Sequence, residues 1–347
     1  MRIEHDVLQD FVEKIFKAAG SEPIEAAIVA DHLVLANLSG HDSHGVGMIP
    51  RYIDNIKAGA LHPNEHVEQI KKDGSILVFD GRAGFGQVVA REAMAQAISV
   101  AKETGLALSA LRNAHHIGRV GTYGEQCADA GLVSIHFVNV TGHRGLVAPH
   151  RGADARYGTN PICVSLPDTA EEPRIILDFA TSKVALGKIR VAHNSGKKLE
   201  EGLLIDKDGN ATTDPGVMFS DEVGSLLPLA EHKGYGLALM CELLTGAIGG
   251  GGTIQPKNVR DTRIINNMLS IIIDPTRLTD TDYIASEMKA MCDYVRDSPP
   301  RAGYDNVIVP GDPEREQREQ RRAEGIDIDE ETWRQITEAA ASHNVTL

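Results

Sequence analysis

The sequence predicts an α/β fold. Short apolar runs rich in β-branched residues, such as Ile76 to Phe79, Leu132 to Val140, Ile162 to Leu166 and Ile175 to Phe179, alternate with stretches whose apolar residues recur at helical spacing. Glycine, proline and aspartate stand between them, where turns are needed. A third observation narrows the class. No G-x-G-x-x-G follows a strand: Gly84-Phe85-Gly86 lacks its third glycine, and Gly118, Gly121 and Gly124 are wrongly spaced. There is no P-loop either, so motifs give no reason to expect a doubly wound Rossmann domain.

The elements follow in order. Val7, Leu8, Phe11, Val12, Ile15, Phe16 and Ala19 share one helical face, with Asp6 as the expected cap and Gly20 as the stop. A second helix follows Ser21 with Pro23 in its first turn; Ile24, Ile28, Leu35 and Leu38 are its expected buried positions, and Gly40 ends it. A polar turn from His41 to Pro50 leads into a short helix from Arg51 to Ala58. After the strand at Ile76, a helix runs from Gly86 to Ala101 with Gly105 as its cap, then a strand from Leu106 to Leu111, a loop from Asn113 to Gly118, and a helix from Val120 to Ala130. Glu201 to Gly216 reads as loop, Gly234 to Ile248 as helix, Gly249 to Gly252 as a break and Met268 to Ile273 as strand. Three helices close the chain: Thr281 to Asp297, the charged Glu314 to Glu324, and Thr332 to Ala341 with the sole tryptophan, Trp333.

Composition bounds the function. The chain has 347 residues, 42% hydrophobic and 24% charged, which suits a globular protein and excludes a disordered tail, a collagen repeat or a rod. With 35 Lys+Arg against 49 Asp+Glu the net charge is −14, which argues against nucleic acid or an anionic membrane as partner. A small anion would need a local basic pocket. Cys127, Cys163, Cys241 and Cys292 are far apart, so reduced, buried thiols are expected. The charged start Met1-Arg2-Ile3-Glu4-His5-Asp6 does not read as a signal peptide, and no apolar run is of spanning length; the expected location is cytoplasmic.

Several positions could carry chemistry. Ser43-His44 and His115-His116 stand in glycine-flanked turns, where a histidine is placed to move protons near neutrality or simply to cap a turn. Asp178 ends an apolar strand and could cap a helix, hold a histidine tautomer or bind a ribose hydroxyl. Gly158-Thr159-Asn160-Pro161 reads as a turn. His232 and Lys233 open a helix at the end where cations are unfavourable, which suggests a bound anion there. His41 and His44 could chelate, and a metal-dependent hydrolase using His41, His44 and His116 is conceivable. No metal is expected, because no zinc-type spacing occurs.

Six motifs, in order along nearly the whole chain, together resemble the malate/L-lactate dehydrogenase family that lacks a Rossmann fold. They are Asp42-Ser43-His44-Gly45-Val46, Asn113-Ala114-His115-His116-Ile117-Gly118, Gly158-Thr159-Asn160-Pro161, Leu177-Asp178-Phe179-Ala180-Thr181-Ser182, Thr212-Thr213-Asp214-Pro215 and His232-Lys233-Gly234-Tyr235-Gly236-Leu237. The resemblance implies a non-Rossmann NAD(P)-binding domain with a mixed or largely antiparallel sheet, joined to a helical terminal domain. Residues 1–73 are expected to pack with 260–347, residues 74–225 to form the cofactor domain, and 226–260 to be helical near the site. It also implies a homodimer and a nicotinamide cofactor, NAD or NADP, acting between 2-oxo and 2-hydroxy acids. Phenylpyruvate, hydroxyphenylpyruvate and 2-oxoglutarate are the candidate oxo acids, with malate, lactate or a cyclic imine as alternatives.

Residue roles follow from the same resemblance. His116 is expected as the acid/base, with His44, Ser43 and Asp178 around it. Cofactor positions are His44, Gly118, Arg119, Val120, Ile176, Leu177, Asp178, Phe179, Ala180, His232, Lys233, Gly311, Asp312, Pro313 and Glu314. Many members carry an arginine where this chain has Met48. Methionine cannot form a bidentate pair with a carboxylate, but it offers a soft apolar wall to a larger side chain. Arg119, Arg144 or Arg156 is then expected to meet the substrate carboxylate instead.

Overall fold

In the computed structural model the described residues are 1–194, 196–258 and 263–347. The chain opens with β1 (Arg2–Ile3), α1 (His5–Ala18), α2 (Pro23–Leu38) and α3 (Ile49–Lys57). Leu8, Phe11, Val12, Ile15 and Phe16 of α1 are buried at the expected spacing. Asp6 does not cap that helix: Glu4 holds the cap position, and Asp6 lies in the first turn, where its charge still suits the helix dipole. In α2 the buried face is Ala26, Val29, Ala30, Leu33 and Val34, whereas Ile24 is 77% exposed. Ile24 sits in the first turn, beside Pro23.

The middle of the chain supplies β2 (Glu68–Asp73), β3 (Ile76–Asp80), α4 (Gly86–Thr104), β4 (Leu106–His115), α5 (Gly121–Asp129), β5 (Val133–Thr141), β6 (Ile162–Leu166), β7 (Ile175–Phe179) and α6 (Leu186–Asn194). Three two-residue strands follow: β8 (Leu204–Ile205) and β9 (Ala211–Thr212), within the stretch expected as loop, and β10 (Ser225–Leu226) after it. Then come α7 (His232–Cys241), continued by a π-turn over Glu242–Ile248, and β11 (Ile265–Ile273), α8 (Thr281–Arg296), α9 (Asp312–Glu324), β12 (Ile326–Asp327) and α10 (Glu330–Ala341).

Seven strands form one mixed sheet in the order β2-β3-β4-β11-β5-β6-β7. Only β3 and β4 pair in parallel; all other neighbours are antiparallel. The sheet class is therefore the one expected. β11 is the central strand, with Leu269 opposite Ala110 on one side and Phe137 on the other. The 260–347 segment thus gives its first strand to the sheet rather than to the terminal helices, because an Ile-rich run buried on both faces belongs in a sheet centre. β2 likewise belongs to the sheet although it lies before residue 74; it is an exposed, lysine-bearing edge strand.

Helices α4 and α5 cover the sheet through Val89, Ala93, Met94, Ala97, Tyr123 and Cys127, packed with Leu77, Phe79, Leu111 and Ile272. A second core joins the chain ends: α1, α2 and α3 enclose Ile326, Ile328, Ile336 and Ala340, and β1 pairs with β12 at Arg2 and Asp327. The four cysteines are free and buried. Among the described residues no helix is long and apolar enough to cross a membrane.

Candidate active site

The site forms where β4 ends beside the first turn of α4. His115 is the last residue of β4, not part of a loop, because a bulge at Asn266 and Asn267 carries the pairing to the strand's end. Asn267 Oδ1 accepts from Asn113 N at 3.0 Å and Asn266 Oδ1 from Ile117 N at 2.9 Å, which fixes the backbone on both sides of the histidine pair. Gly86 lies against that backbone: a Cβ there would sit 2.3 Å from the His115 carbonyl oxygen. Helix α3 addresses both rings. Asn55 Nδ2 lies 2.8 Å from His115 Nε2, and Tyr52 Oη lies 2.6 Å from His116 Nδ1. Gln87 Nε2 donates to Tyr52 Oη at 2.8 Å.

His44 arrives from the polar turn. Asn37 holds this turn from within, its Nδ2 donating to Asp42 Oδ1 at 2.6 Å and its Oδ1 accepting from Val46 N at 2.8 Å. Arg321 of α9 grips Asp42 at 2.6 Å, and His41 meets Glu314 at 3.1 Å. Gly187 of α6 packs tightly on Ser43, where a Cβ would come within 2.7 Å of the serine Cβ. The result is a stacked pair: the His44 and His116 rings lie 5.4 Å apart at 21°. Burial pushes His44 down to about 4, against the pull of Asp178. Burial, reinforced by His44 and His115, holds His116 well below the ordinary histidine range, so both rings are neutral at pH 7.

Asp178 accepts from Gly121 N at 2.7 Å, at the start of α5. Arg119 Nε lies 3.9 Å from its carboxylate. The Arg119 guanidinium is wholly enclosed, and Glu125 Oε1 takes both Arg119 Nη1 at 3.0 Å and Arg318 Nη2 at 2.5 Å. Glu125 engages only Nη1 of that guanidinium, and Arg119 Nε and Nη2 are buried without a hydrogen-bond partner. Next to Asp178 is a cavity of about 250 Å³ lined by Ile176, Leu177, Asp178, Ile308, Val309, Pro310, Gly311, Pro313 and Glu314. Six of these were expected as cofactor positions from the sequence.

The other expected residues lie as follows. Gly118 has φ +72° and touches His32, whose Nε2 accepts from Arg119 N at 3.0 Å; Val120 is buried beside it. Phe179 and Ala180 continue β7 at the same end. His232 and Lys233 are exposed at the start of α7, and Glu231 and His150 gather there, with the His150 and His232 rings 5.9 Å apart. Asp312 is paired with Arg296 and Arg315. Met48 packs against the core of the joined chain ends. Arg144 donates to the Met218 carbonyl at 2.9 Å, and Arg156 is exposed and paired with Asp154. Among the described residues no group of three histidine, cysteine or acidic side chains could hold a metal.

Sequence reasoning missed Tyr52 and Gln87, which look like a core aromatic and a helix-surface amide. It also singled out neither Arg112 nor Arg263, which line a second cavity of about 420 Å³ at the ends of β4, β5 and β11. A lone arginine at a strand end carries no motif, so nothing local could have flagged them.

The stacked histidine pair thus stands near an aspartate that lines a cavity of about 250 Å³, at the strand ends of a mixed sheet. The profile described as malate/L-lactate dehydrogenase matches residues 3–337. The chain is 45% identical to hydroxycarboxylate dehydrogenase B of Escherichia coli K12, over 98% of this chain and 93% of that protein. It is 38% identical to an L-lactate dehydrogenase of Cupriavidus necator, over 92% and 91%. A solved malate/lactate dehydrogenase candidate from Escherichia coli superposes with a TM-score of 0.95 at 44% identity, covering 100% of this chain and 96% of the other. The class is thus an oxidoreductase of 2-hydroxy acids. The chain belongs to the malate/L-lactate dehydrogenase family, whose dehydrogenases depend on a nicotinamide cofactor.

Proposed function

We propose that the chain is an NAD(P)-dependent 2-hydroxycarboxylate dehydrogenase, with His116 as the group that exchanges a proton with the substrate oxygen. The stacking of His44 on His116 beside Asp178 carries this reading. When bound, the reduced nicotinamide supplies a hydride. The residues fit such a group. Ile176, Leu177, Ile308 and the two prolines form apolar walls, the carboxylates of Asp178 and Glu314 suit ribose hydroxyls, and His44 Nδ1 and Arg119 Nη2 are buried without a hydrogen-bond partner. His116 faces the reacting oxygen, His44 packs on it, and Asp178 is steadied by Gly121 and Arg119.

Phenylpyruvate, hydroxyphenylpyruvate and 2-oxoglutarate are the proposed oxo acids, supported by the similarity to hydroxycarboxylate dehydrogenase B and by the apolar Met48. The protein works as a homodimer in the cytoplasm on this reading. The exposed Leu237, Met240, Leu243 and Ile248 beside the site offer an apolar face to a second copy, and four free cysteines suit a reducing compartment. The test is oxidation of NADH and of NADPH against a panel running from pyruvate and oxaloacetate to 2-oxoglutarate and phenylpyruvate. Turnover with an aromatic oxo acid or 2-oxoglutarate supports the substrate reading, and turnover confined to pyruvate or oxaloacetate replaces it with lactate or malate chemistry. Failure to bind either nucleotide refutes the whole proposal.

A further inference from the structure

We infer that Tyr52 and Gln87 form a hydrogen-bond chain that fixes which nitrogen of His116 works. Tyr52 donates to Nδ1, leaving the single imidazole hydrogen on Nε2, pointed at the reacting oxygen. The inference rests on the reading of His116 as the proton-bearing group and adds to it the atom, the tautomer and the residues that set both.

The argument runs from donor inventory. The nitrogen of an amide side chain can only donate, and Gln87 Nε2 stands 2.8 Å from Tyr52 Oη. The phenol oxygen therefore accepts on that side, and its one hydrogen remains for the other close neighbour. That neighbour is His116 Nδ1 at 2.6 Å. A neutral imidazole that accepts at Nδ1 must carry its hydrogen at Nε2. Both conditions for this order are met. Burial raises the Tyr52 phenol above its ordinary value, so it keeps its hydrogen, and burial beside His44 and His115 keeps His116 neutral. A neutral imidazole that donates from Nε2 is suited to polarising a carbonyl oxygen.

The chain is also mechanically stiff. Tyr52 is fully buried and its ring is wedged edge-on against Phe85 at 6.0 Å and His115 at 5.6 Å. Gln87 is buried in the first turn of α4. Asn55, one turn along α3 from Tyr52, holds His115 in the same way, so one helix face orients both histidines. Tyr52 is thus a positioning residue. It shapes the reaction through His116 without meeting the substrate.

The experiment compares nitrogen NMR spectra of full-length wild type and Tyr52→Phe, both labelled at histidine, with His116→Ala to assign the His116 signals. Phenylalanine keeps the ring packing and deletes only the hydroxyl. Wild type should show an unprotonated Nδ1 and a protonated Nε2, and Tyr52→Phe a mixture of tautomers. The turnover number of Tyr52→Phe should fall about 10- to 100-fold. KM for the oxo acid and the NADH dissociation constant should both stay within about two-fold. A Tyr52→Phe protein whose His116 keeps the pure Nε2–H pattern overturns the inference. Should that variant fail to fold, Gln87→Leu leaves Tyr52 in place and must shift the same signals in the same direction; unchanged signals there refute the chain. The spectra need no turnover, so a failure of the enzyme reading and a failure of the tautomer reading are seen separately.

Discussion

Glu125→Leu should be among the most destabilising single substitutions in the molecule. Glu125 Oε1 serves two arginines, Arg119 at 3.0 Å from α5's own approach and Arg318 at 2.5 Å from α9, and the Arg119 side chain is 0% exposed. Burial alone would raise the Glu125 carboxyl, yet the two guanidinium groups hold it below its ordinary value, so it is ionised at neutral pH. Leucine fills the space but leaves the enclosed guanidinium with only Asp178, at 3.9 Å, as counter-charge. Breaking a buried pair in this way costs about 3–5 kcal/mol. For a chain of this size that corresponds to a fall in melting temperature of roughly 5–15 °C. Thermal melts followed by circular dichroism at neutral pH measure it. Arg318→Leu, which leaves the Arg119–Glu125 pair intact, should cost less. A shift for Glu125→Leu smaller than about 2 °C would refute the reasoning, since a triad that can be broken so cheaply is not holding Arg119 in place.

Further outcomes follow from the same geometry. His32, His115 and His136 are buried and neutral, depressed by burial to about 3, about 3 and about 4. Their contribution is fully present above the unfolded value of 6.5 and is lost as pH falls toward about 4 for His136 and about 3 for His32 and His115, because the unfolded chain takes up protons that the folded one refuses. Each adds about 1.4 kcal/mol per pH unit to the slope; His136→Gln should flatten the acid limb of a melting-temperature profile, and an unchanged limb counts against it. Gly86→Ala drives a methyl into the His115 and His116 carbonyls and should lower both stability and turnover, read by melts and by initial rates. Leu177 lines the cavity beside Asp178 and is 41% exposed, so Leu177→Arg should fold normally while weakening NADH binding at least about tenfold by fluorescence titration. Unchanged NADH affinity in that variant would remove the cavity from the cofactor's path.

What the sequence disclosed depended on how local the cause was. β6 and β7 have the expected limits because short apolar runs between turn residues need no partner to be recognised. The Asn160 turn was equally plain, although its buried amide, which donates to Glu242 Oε1 at 2.9 Å, was not. β2 is a strand only through its pairing with β3, and its six exposed residues show no alternation of burial to read. α6 was missed because only Ile189 is fully buried in a small local core, with Leu186 packed against it, too few apolar contacts to mark a helical face. The central place of β11 reflects long-range pairing with β4 and β5, on which its own residues are silent. In the site, His44, His116 and Asp178 were legible as motif residues. Tyr52, Gln87, Glu125 and Arg318 were not, because each acts through a partner far along the chain.

The most direct test of the account follows a deuterium label from the nicotinamide C4 of reduced cofactor into the product acid, with wild type and His116→Ala side by side. The account predicts one deuterium on carbon 2 of the 2-hydroxy acid from wild type and a severe loss of rate in His116→Ala. Product formed without label at carbon 2, or labelled product formed as fast by His116→Ala, would contradict it.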